Sequence, residues 1–363
     1  MINYIKNSFK NILFGNNIFL PKSFFKKKEK INFFDVGASF LDQNINFLKY
    51  EFFNLILFEP DNKVYASYCT DSNNLKVYNL GLWSKNKKKK IYFVKNQIAS
   101  SVYKPNIKIL ERYNFDINDY NIIGSKDFLL KKLDQFYQFN KNIDFIKVDT
   151  EGADYDILIG AKKSLKSTLG LQVEVQNIER YINSKKIDSI LKITKENNLE
   201  IFINNKEMWP RSNIFNIETN FQNVWSDIVF FKDIEYMLNC LKKKKYDSRL
   251  FCIKKLIFLM LQYKLHDSAI NYINNFYKFK LINIKTYNYF LNIIKKNVES
   301  NISIILKDLL RLSFILVIFP LSLINFKIYL KLVIRLIIKN INNLKRFFQN
   351  FISKNIFRNG AVN

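Results

Sequence analysis

The chain of 363 residues is poor in the side chains on which much enzyme chemistry depends. It contains one histidine, His266, and three cysteines, Cys69, Cys240 and Cys252, whose separations match no metal-ligand spacing. A single histidine in a helical-looking stretch argues against Ser-His-Asp, Cys-His and histidine-rich zinc sites. The three cysteines form no even set, which favours a reducing, cytoplasmic compartment. Acid–base chemistry must therefore rest on carboxylates, lysine or tyrosine.

Three further patterns are absent from the sequence. No G-x-G-x-x-G occurs among the eight glycines, which argues against a glycine-rich loop around a pyrophosphate. The uncharged segment 312–326 has fifteen residues and a proline, short of the ~18–20 residues that a bilayer-spanning helix needs. No signal-peptide cleavage site follows the apolar clusters of residues 1–29, so this segment is interpreted as an amphipathic lead-in.

The excess of basic residues is the most visible feature of the composition. Lys and Arg number 58 against 31 Asp and Glu, a formal net charge of +27. Such a charge suits nucleic acid, anionic lipid or acidic glycans. The chain is also saturated with Asn, Ile, Phe and Tyr, as AT-rich codons would produce in any protein, and no nucleic-acid motif accompanies the charge. We expect no nucleic-acid partner; a nucleic-acid-binding protein remains an alternative that rests on charge alone.

Short apolar runs alternate with helical patterns between residues 30 and 233. Strands are predicted in the runs 31–39 ("INFFDVGAS", which ends in an acid and a glycine), 54–61, 75–82, 143–148, 169–176, 199–204 and 224–231. Helical spacing relates Leu41 to Phe52 and Ala153 to Leu165. The lysine run 87–90 with the following "IYFV" is interpreted as a hairpin with a solvated tip. The alternation predicts an α/β fold with a doubly wound parallel sheet.

Acidic residues stand at the ends of four predicted strands: Asp35, Glu59, Asp149 and Glu174. Ligands of doubly wound sheets bind beyond the carboxyl ends of the strands. A carboxylate at the second strand end, 24 residues after Asp35, can accept hydrogen bonds from both hydroxyls of a ribose. Gly37 allows a sharp turn and a close approach of the backbone to a ligand. The pattern favours an adenosine-type cofactor.

The segment "IKVDTEGADYDILIGA" places Asp149, Glu151 and Asp154 around Gly152. Acids in the first turn of a helix stabilise it by ~0.3–1 kcal/mol each, which accounts for Asp154 and Asp156. Asp149 and Glu151 lie at the strand end beside other strand-end acids. We therefore predict a functional role for these two, with helix capping as the alternative.

Several segments in order, "FFDVGAS", "LILFEPD", "IDFIKVDTEGADYDILIGA", "LQVEVQ" and "WSDIVFF", resemble the FkbM family of S-adenosylmethionine-dependent methyltransferases. The resemblance covers about residues 30–232, and its most diagnostic part is the K-x-D-x-E-G segment. It implies a Rossmann-like class I methyltransferase sheet with a C-terminal helical extension, and S-adenosyl-L-methionine as the cofactor.

The resemblance also implies roles for individual residues. Asp149 and Glu151 are expected near the transferred methyl group as catalytic residues, and Glu59 is expected to hold the ribose. The remaining implied residues are Asp35, Gly37, Ala38 and Ser39 in the cofactor turn, Asn79 and Gly81 near the adenine, and Ser101 and Glu174 toward the substrate. Leu41 departs from the family pattern, because it adds bulk where a glycine is usual in the cofactor turn. No third metal ligand is identifiable beside Asp149 and Glu151, so no metal is predicted.

The domain organisation follows from these boundaries. We predict a lead-in over 1–29, a methyltransferase domain over 30–233, and a basic, apolar helical extension over 234–363. Within the extension, basic residues recur every four positions from Lys327 to Lys339 along an apolar helix. Region 312–350 suits an anionic membrane surface, with a helix of an ordinary accessory bundle as the alternative.

The predicted function is that of an O-methyltransferase acting on a hydroxyl, most simply that of a sugar in a surface polysaccharide or glycolipid. Alternatives are methylation of another small metabolite or a lipid headgroup, and a cofactor-binding module that has lost catalysis, to which Leu41 points. The expected location is the cytoplasm, with peripheral attachment to the inner face of the membrane through region 312–350.

Overall fold

A computed structural model describes residues 18–38, 50–68, 73–113, 116–136, 143–211 and 221–298. The chain divides into two compact units, Met1–Leu291 and Asn292–Asn363. The fold below is that of the first unit, which contains the predicted methyltransferase segment and the helices that follow it. Ser39, Leu41, Cys69 and region 312–350 lie outside the described residues, so the predictions for them stay predictions.

Strands and helices alternate along the described part of the chain. The strands are β1 (Ile31–Val36), β2 (Phe53–Phe58), β3 (Leu75–Tyr78), β4 (Lys87–Val94), β5 (Ile122–Leu130), β6 (Phe145–Val148), β7 (Gly170–Gln176), β8 (Leu199–Trp209) and β9 (Gln222–Lys232). The α-helices are α1 (Asn62–Ser67), α2 (Ile107–Leu110), α3 (Asp154–Ile159), α4 (Lys162–Ser167), α5 (Ile187–Glu196), α6 (Ile234–Lys242), α7 (Tyr246–Gln262), α8 (His266–Lys278) and α9 over 284–298. Short 3-10 helices lie at Gln97–Ala99, Ile117–Tyr120 and Leu133–Gln135.

Seven of the strands form one sheet in the order β3-β2-β1-β6-β7-β9-β8. The pairs β2–β3, β1–β2, β1–β6 and β6–β7 are parallel, whereas β9 runs antiparallel to both β7 and β8. The chain leaves β1 in one direction toward β3 and later returns to the other side of β1 with β6. This reversal between β1 and β6 is the switch point where doubly wound sheets bind ligands. The predicted α/β fold is confirmed, with an antiparallel pair at one edge.

The apolar strands form because both faces of the sheet are covered. On one face, Phe34, Val36 and Ile146 belong to a buried cluster completed by helices α3 to α5. The central strand β7, predicted from alternating polarity, is buried along its whole length. Central strands of a parallel sheet are buried on both faces, so Gln172 and Glu174 must find polar partners inside the protein.

Helix α7 covers the other face of the sheet. The ring of Phe258 lies edge-on to Tyr50 and Phe52, with centroid separations of 5.5 and 5.1 Å. Lys255 forms a buried ion pair with Asp144 at 2.7 Å, between α7 and the start of β6. The compact unit that contains the sheet therefore includes helices from the predicted extension, and it runs to Leu291. Among the described residues, none of the helices combines the length and apolarity that crossing a bilayer requires.

The prediction that the lysine run 87–90 forms the solvated tip of a hairpin is wrong. It lies within β4, which pairs antiparallel with β5 from Lys87↔Leu130 to Val94↔Ile122. Lys89 is half-buried, with its Nζ 3.5 Å from the centroid of the Trp83 ring. Lysine stems can cover apolar surface while the ammonium group reaches a ring or water, which is why a charged run can occupy a strand. This two-stranded β4–β5 ribbon stands beside the switch point.

Candidate active site at the strand ends

A cavity of about 590 Å³ opens beyond the carboxyl ends of β1, β2 and β6. Its size lies within the usual range of small-molecule sites. Six of the predicted site residues line it: Gly37, Glu59, Gly81, Ser101, Asp149 and Glu151. The β4–β5 ribbon and the segment between its strands form the facing wall. The cavity therefore lies where the strand order predicted a ligand site.

Gly37 is required by a backbone contact between the two turns at the switch point. Its φ is +83°, and a Cβ added there would overlap the carbonyl group of Asp149. The Asp149 N–H donates to the Val36 carbonyl at 3.0 Å, and the Gly37 N–H donates to the Phe58 carbonyl at 3.2 Å. Gly37 thus brings the Asp149 backbone against the end of β1, in addition to lining the cavity.

Glu59 is the buried acid of the second strand end. Its side chain lines the cavity although the residue is 6% exposed, and it accepts a hydrogen bond from the Asp61 N–H at 2.7 Å. Burial, reinforced by the negative charges of Asp61 and Asp35, raises the pKa of Glu59 to about 7. A carboxyl group in this position can accept hydrogen bonds from ligand hydroxyls once it is ionised.

Lys147 connects the ends of β1 and β6 through a buried ion-pair chain. Its Nζ lies 3.3 Å from Asp35 Oδ1 and 3.3 Å from Asp149 Oδ2. Burial alone would lower the pKa of Lys147, but the attraction of Asp35 and Asp149 outweighs it and raises the pKa above the ordinary lysine value. The Asp149 side chain is 36% exposed, whereas that of Asp35 is 2% exposed. Lys147 therefore holds a cavity acid from behind.

Arg180 performs a similar task for Glu151 and Glu174. Its Nη2 lies 2.9 Å from Glu151 Oε2 and 2.5 Å from Glu174 Oε1. The hydroxyl of Tyr181 donates to Glu151 Oε2 at 2.8 Å. Burial raises the pKa of both glutamates, and a neighbouring negative charge adds to the rise: that of Asp149 for Glu151 and that of Glu151 for Glu174. The Arg180 guanidinium opposes this rise in both groups. Burial opposes the positive charge of Arg180, yet the two glutamates raise its pKa, so it remains a cation.

The loop that carries Glu151 is held in an uncommon backbone conformation. Glu151 has φ +53° and Gly152 has φ +92°. Positive φ values are costly for residues other than glycine and persist where surrounding contacts enforce them. Here the Ser101 hydroxyl donates to the Glu151 carbonyl at 2.6 Å, while Arg180 and Tyr181 hold the side chain. The carboxyl group of Glu151 is thus fixed at the cavity wall.

The contacts of Asp154 and Asp156 fit the structural role expected for them. Asp154 is buried and accepts hydrogen bonds from the N–H groups of Thr150 and Gly152, each at 3.1 Å. Burial, followed by repulsion from Asp149, raises the pKa of Asp154 to about 7. Asp156 accepts a hydrogen bond from the Tyr103 hydroxyl at 2.7 Å. Neither residue lines the cavity.

Four predicted site residues lie away from the cavity wall. Asp35 faces Lys147, and Glu174 accepts hydrogen bonds from Arg180 and from Gln176 Nε2 at 2.6 Å. The Ala38 carbonyl accepts a hydrogen bond from the Tyr68 hydroxyl. Asn79 is exposed and donates to the Asn62 side chain at 2.8 Å. Asn62 lines the cavity, so Asn79 supports the wall from outside.

Three contributors to the site were not assigned roles from the sequence. Lys147 is the lysine of the K-x-D-x-E-G segment. Its position in an apolar strand, next to the strand-end acids, was a signal in the sequence that it pairs with them. Arg180 and Tyr181 lie in "NIERYIN", a loop without periodicity, and only the fold brings them to Glu151. Glu174, which the sequence assigned to the substrate, is the third possible metal ligand that was not identified, because oxygen atoms of Asp149, Glu151 and Glu174 lie within 4.8 Å of one another.

The comparison with protein families agrees with this site. A family model described as the methyltransferase FkbM domain matches residues 35–201. Residues 35–201 are an FkbM methyltransferase domain. The match spans the strand ends β1, β2, β6 and β7 and the β4–β5 ribbon, and it confirms the resemblance on which the cofactor prediction rested. The cofactor of the FkbM domain is S-adenosylmethionine.

Solved methyltransferase structures are also similar to this chain at low sequence identity. Magnesium protoporphyrin IX methyltransferase (ChlM) from Synechocystis PCC 6803, with bound SAM, is 9% identical; 56% of this chain and 71% of that chain are covered, with a TM-score of 0.30. The N-terminal domain of EvdMO1 with SAH bound is 7% identical; 56% of this chain and 74% of that chain are covered, with a TM-score of 0.30. Sp1610 of Streptococcus pneumoniae, a putative tRNA (m1A22) methyltransferase, is 10% identical; 75% of this chain and 92% of that chain are covered, with a TM-score of 0.31. No curated protein sequence is a significant match.

The residues of the FkbM domain fit S-adenosylmethionine chemically. The Glu59 carboxyl group would accept hydrogen bonds from the ribose hydroxyls. Apolar side chains that line the same cavity, including Leu82 and Ile157, would offer the adenine ring a surface away from water. The acids that line the cavity would favour the positive charge of the sulfonium group.

Proposed function

We propose that this methyltransferase is an O-methyltransferase whose acceptor is a hydroxyl of a sugar, in a surface polysaccharide or a glycolipid. The observation that carries the proposal is the position of Asp149. Its carboxyl group lies on the cavity wall at the switch point, partly exposed, with Oδ2 held by Lys147. His266 is not among the residues that line the cavity, so a carboxylate is the base that this site offers.

The proposed chemistry needs a base because a sugar hydroxyl is a weak nucleophile at neutral pH. S-adenosylmethionine, when bound, supplies an electrophilic methyl group. Asp149 takes the proton of the acceptor hydroxyl as its oxygen becomes an ether oxygen. General-base assistance of this kind contributes roughly 10²–10⁴-fold, and the positioning of the acceptor contributes independently.

Lys147 acts as a positioning residue in this scheme. Its ammonium group donates a hydrogen bond to Asp149 Oδ2 at 3.3 Å and so fixes the position of the carboxyl group. Asp35, on the other side of Lys147, fixes the ammonium group in turn. The chain Asp35–Lys147–Asp149 orients the base without contacting the acceptor.

A polyhydroxyl acceptor agrees with the other groups on the same wall. Glu151, held by Arg180 and Tyr181, presents a fixed acceptor of hydrogen bonds near Asp149. Ser101 lines the same region through its bond to the Glu151 carbonyl. Adjacent fixed acceptors suit a ring that carries several hydroxyl groups, one of which becomes methylated.

The decisive experiment is Asp149→Asn, which keeps the shape of the side chain and removes the base. Release of S-adenosylhomocysteine is measured with free sugars, nucleotide-linked sugars and glycolipids as acceptors. With a competent acceptor, kcat should fall at least ~100-fold while the affinity for S-adenosylhomocysteine changes little. Asp156→Asn is the matched control and should retain most activity. Near-normal turnover of Asp149→Asn would place the base elsewhere.

A further inference from the structure

The cavity has two walls of opposite chemical character. We call the first the strand-end wall: Glu59, Asp61, Asp149 and Glu151 line it with carboxyl groups. The second, the ribbon wall, consists of Phe93, Ile98, Ile123, Lys126 and Phe128 on or between β4 and β5. The ribbon wall is joined to the strand-end wall through Ser101, whose hydroxyl donates to the Glu151 carbonyl.

The apolar side chains of the ribbon wall are unusually exposed for residues that line a cavity. Ile123 is 63% exposed and Ile98 is 48% exposed. Single exposed apolar residues are common on protein surfaces, but these two lie at the mouth of one cavity and share it with the Phe93 and Phe128 side chains. An apolar ligand group placed there would remove this surface from water.

Lys126 gives the ribbon wall a positive charge. It stands opposite Ile91 in the β4–β5 pairing, and its Nζ lies 5.3 Å from the centroid of the Phe128 ring. Among the residues that the structure describes, none of the carboxyl groups forms an ion pair with Lys126, whereas its chain neighbour Asp127 pairs with Lys88. Residues 83–132 as a whole contain twelve Lys and Arg against four Asp and Glu. The cation at the cavity mouth is therefore available to a ligand.

We infer that the ribbon wall binds the part of the acceptor that carries an apolar chain and an adjacent anionic group, so that the acceptor is an anionic amphiphile such as a sugar joined through phosphate to a lipid. This inference rests on the proposed function and names its substrate class. The apolar chain contacts Ile98 and Ile123, and the anionic group contacts Lys126. The sugar then extends toward Asp149 and Glu151.

The opposite charges of the two walls determine the direction in which such a ligand binds. An anion next to the strand-end acids would be repelled, while the same acids attract the sulfonium cation of the cofactor. A neutral free sugar would leave both the exposed isoleucines and Lys126 without a partner. The amphiphile satisfies each group of the ribbon wall without approaching the acids.

The test uses the full chain saturated with S-adenosylhomocysteine. Calorimetry measures the binding of dodecyl phosphate below its micelle-forming concentration, with dodecyl maltoside as the neutral amphiphile and inorganic phosphate as the anion without a chain. Dodecyl phosphate should bind most tightly. Lys126→Glu should weaken the binding of dodecyl phosphate roughly tenfold, because an attraction is replaced by a repulsion. The affinity for dodecyl maltoside should stay nearly unchanged.

The apolar contribution is tested with Ile123→Ser, which should weaken both amphiphiles roughly three- to tenfold. The matched controls lie on the outer face of the same ribbon: Leu129→Ser, at a residue 60% exposed, and Lys88→Glu, at a side chain 73% exposed. These controls should bind both amphiphiles as the unchanged chain does. Because all four substitutions are at exposed positions, loss of folding is not expected to obscure the comparison.

The outcomes separate this inference from the proposed function. Equal losses in the ribbon-wall and outer-face variants, or no loss in either, would overturn the inference, since binding would then come from general charge or from another part of the chain. Inorganic phosphate binding as tightly as dodecyl phosphate would overturn it as well. If S-adenosylhomocysteine itself fails to bind the unchanged chain, the proposed function fails first.

Discussion

The strand-end wall and the ribbon wall of the cavity differ in how their side chains are held. On the strand-end wall, Asp149 and Glu151 are fixed from behind by the buried cations Lys147 and Arg180. On the ribbon wall, Ile123 is 63% exposed and Ile98 is 48% exposed. Fixed groups suit a reaction that must be the same in every turnover, whereas a loosely held apolar surface can adapt to an acceptor. Under the proposed function, the same cavity combines a rigid chemical half with an adaptable binding half.

The largest expected effect is that of Arg180→Met on stability. The substitution leaves Glu151 and Glu174 buried beside each other without their cation, and breaking a buried pair in this way costs about 3–5 kcal/mol. The free energy of unfolding is measured with denaturant. Lys88→Met, which breaks the exposed 3.8 Å pair with Asp127 on the ribbon, should change it by less than about 1 kcal/mol. Similar costs for both would remove the contrast between a rigid and an adaptable wall.

A smaller loss of stability is expected for Gly37→Ala. The residue has φ +83°, and the added Cβ would overlap the Asp149 carbonyl, so both turns at the switch point must shift. A backbone conformation of this kind costs a residue other than glycine about 1–3 kcal/mol of stability. Gly124→Ala on the ribbon is the matched control, because a Cβ there meets no atom within 4 Å. Thermal unfolding that is equally affected in both variants would contradict the prediction.

The strand-end wall could be predicted from the sequence because local patterns specify it. Strands β1, β2 and β6 are apolar runs bounded by an acid and a turn, so Glu59 and Asp149 could be placed at the same edge of the sheet before the fold was known. Asp35 and Glu174 were predicted to contact the ligand, but they lie away from the cavity wall. Each side chain within a strand faces one side of the sheet, and the apolar run alone does not say which side. Both acids turned out to face buried cations.

The ribbon wall could not be predicted in the same way. β4 begins with four lysines, which are typical of a solvated turn, and its partner β5 starts 28 residues after the end of β4. Pairing at that separation depends on tertiary contacts, and the contact of Lys89 with the Trp83 ring shows how a charged run can occupy a strand. Arg180 was missed for a related reason: a loop residue becomes a buried cation only through the fold around it.

The role of Glu59 in cofactor binding is tested by Glu59→Gln. An ionised carboxyl group forms stronger hydrogen bonds with ribose hydroxyls than an amide does, because a bond to a charged group contributes ~1.5–3 kcal/mol and a neutral one ~0.5–1.5 kcal/mol. Calorimetry should show at least a tenfold weaker complex with S-adenosylhomocysteine, with the fold preserved. Asn79→Ala, outside the cavity wall, should change the affinity less than about threefold. An unchanged affinity in Glu59→Gln would mean that another group holds the ribose.

The raised pKa of Glu59 predicts a pH dependence of the same complex. With a pKa of about 7 in the unliganded protein, the carboxyl group is largely protonated below that pH and ionised above it. The affinity for S-adenosylhomocysteine should therefore rise about tenfold between about pH 6 and about pH 8, and Glu59→Gln should remove the rise. Because the folded pKa is above the ordinary value of 4.5, the contribution of Glu59 to the stability of the unliganded chain falls as pH rises from 4.5 to 7.

The smallest effect on stability is expected on the ribbon wall, and it is the most informative about acceptor binding. Ile123 is 63% exposed, so Ile123→Ser removes little buried surface and should change the free energy of unfolding by no more than ~0.5 kcal/mol. The same variant should lose affinity for dodecyl phosphate, whereas Leu129→Ser should keep both its stability and its affinity for dodecyl phosphate. Stability measured by denaturant and affinity measured by calorimetry on the same preparations give the comparison. If Ile123→Ser destabilises the chain as much as Gly37→Ala does, the isoleucine supports the ribbon itself, and the adaptable wall would have to be sought elsewhere in the cavity.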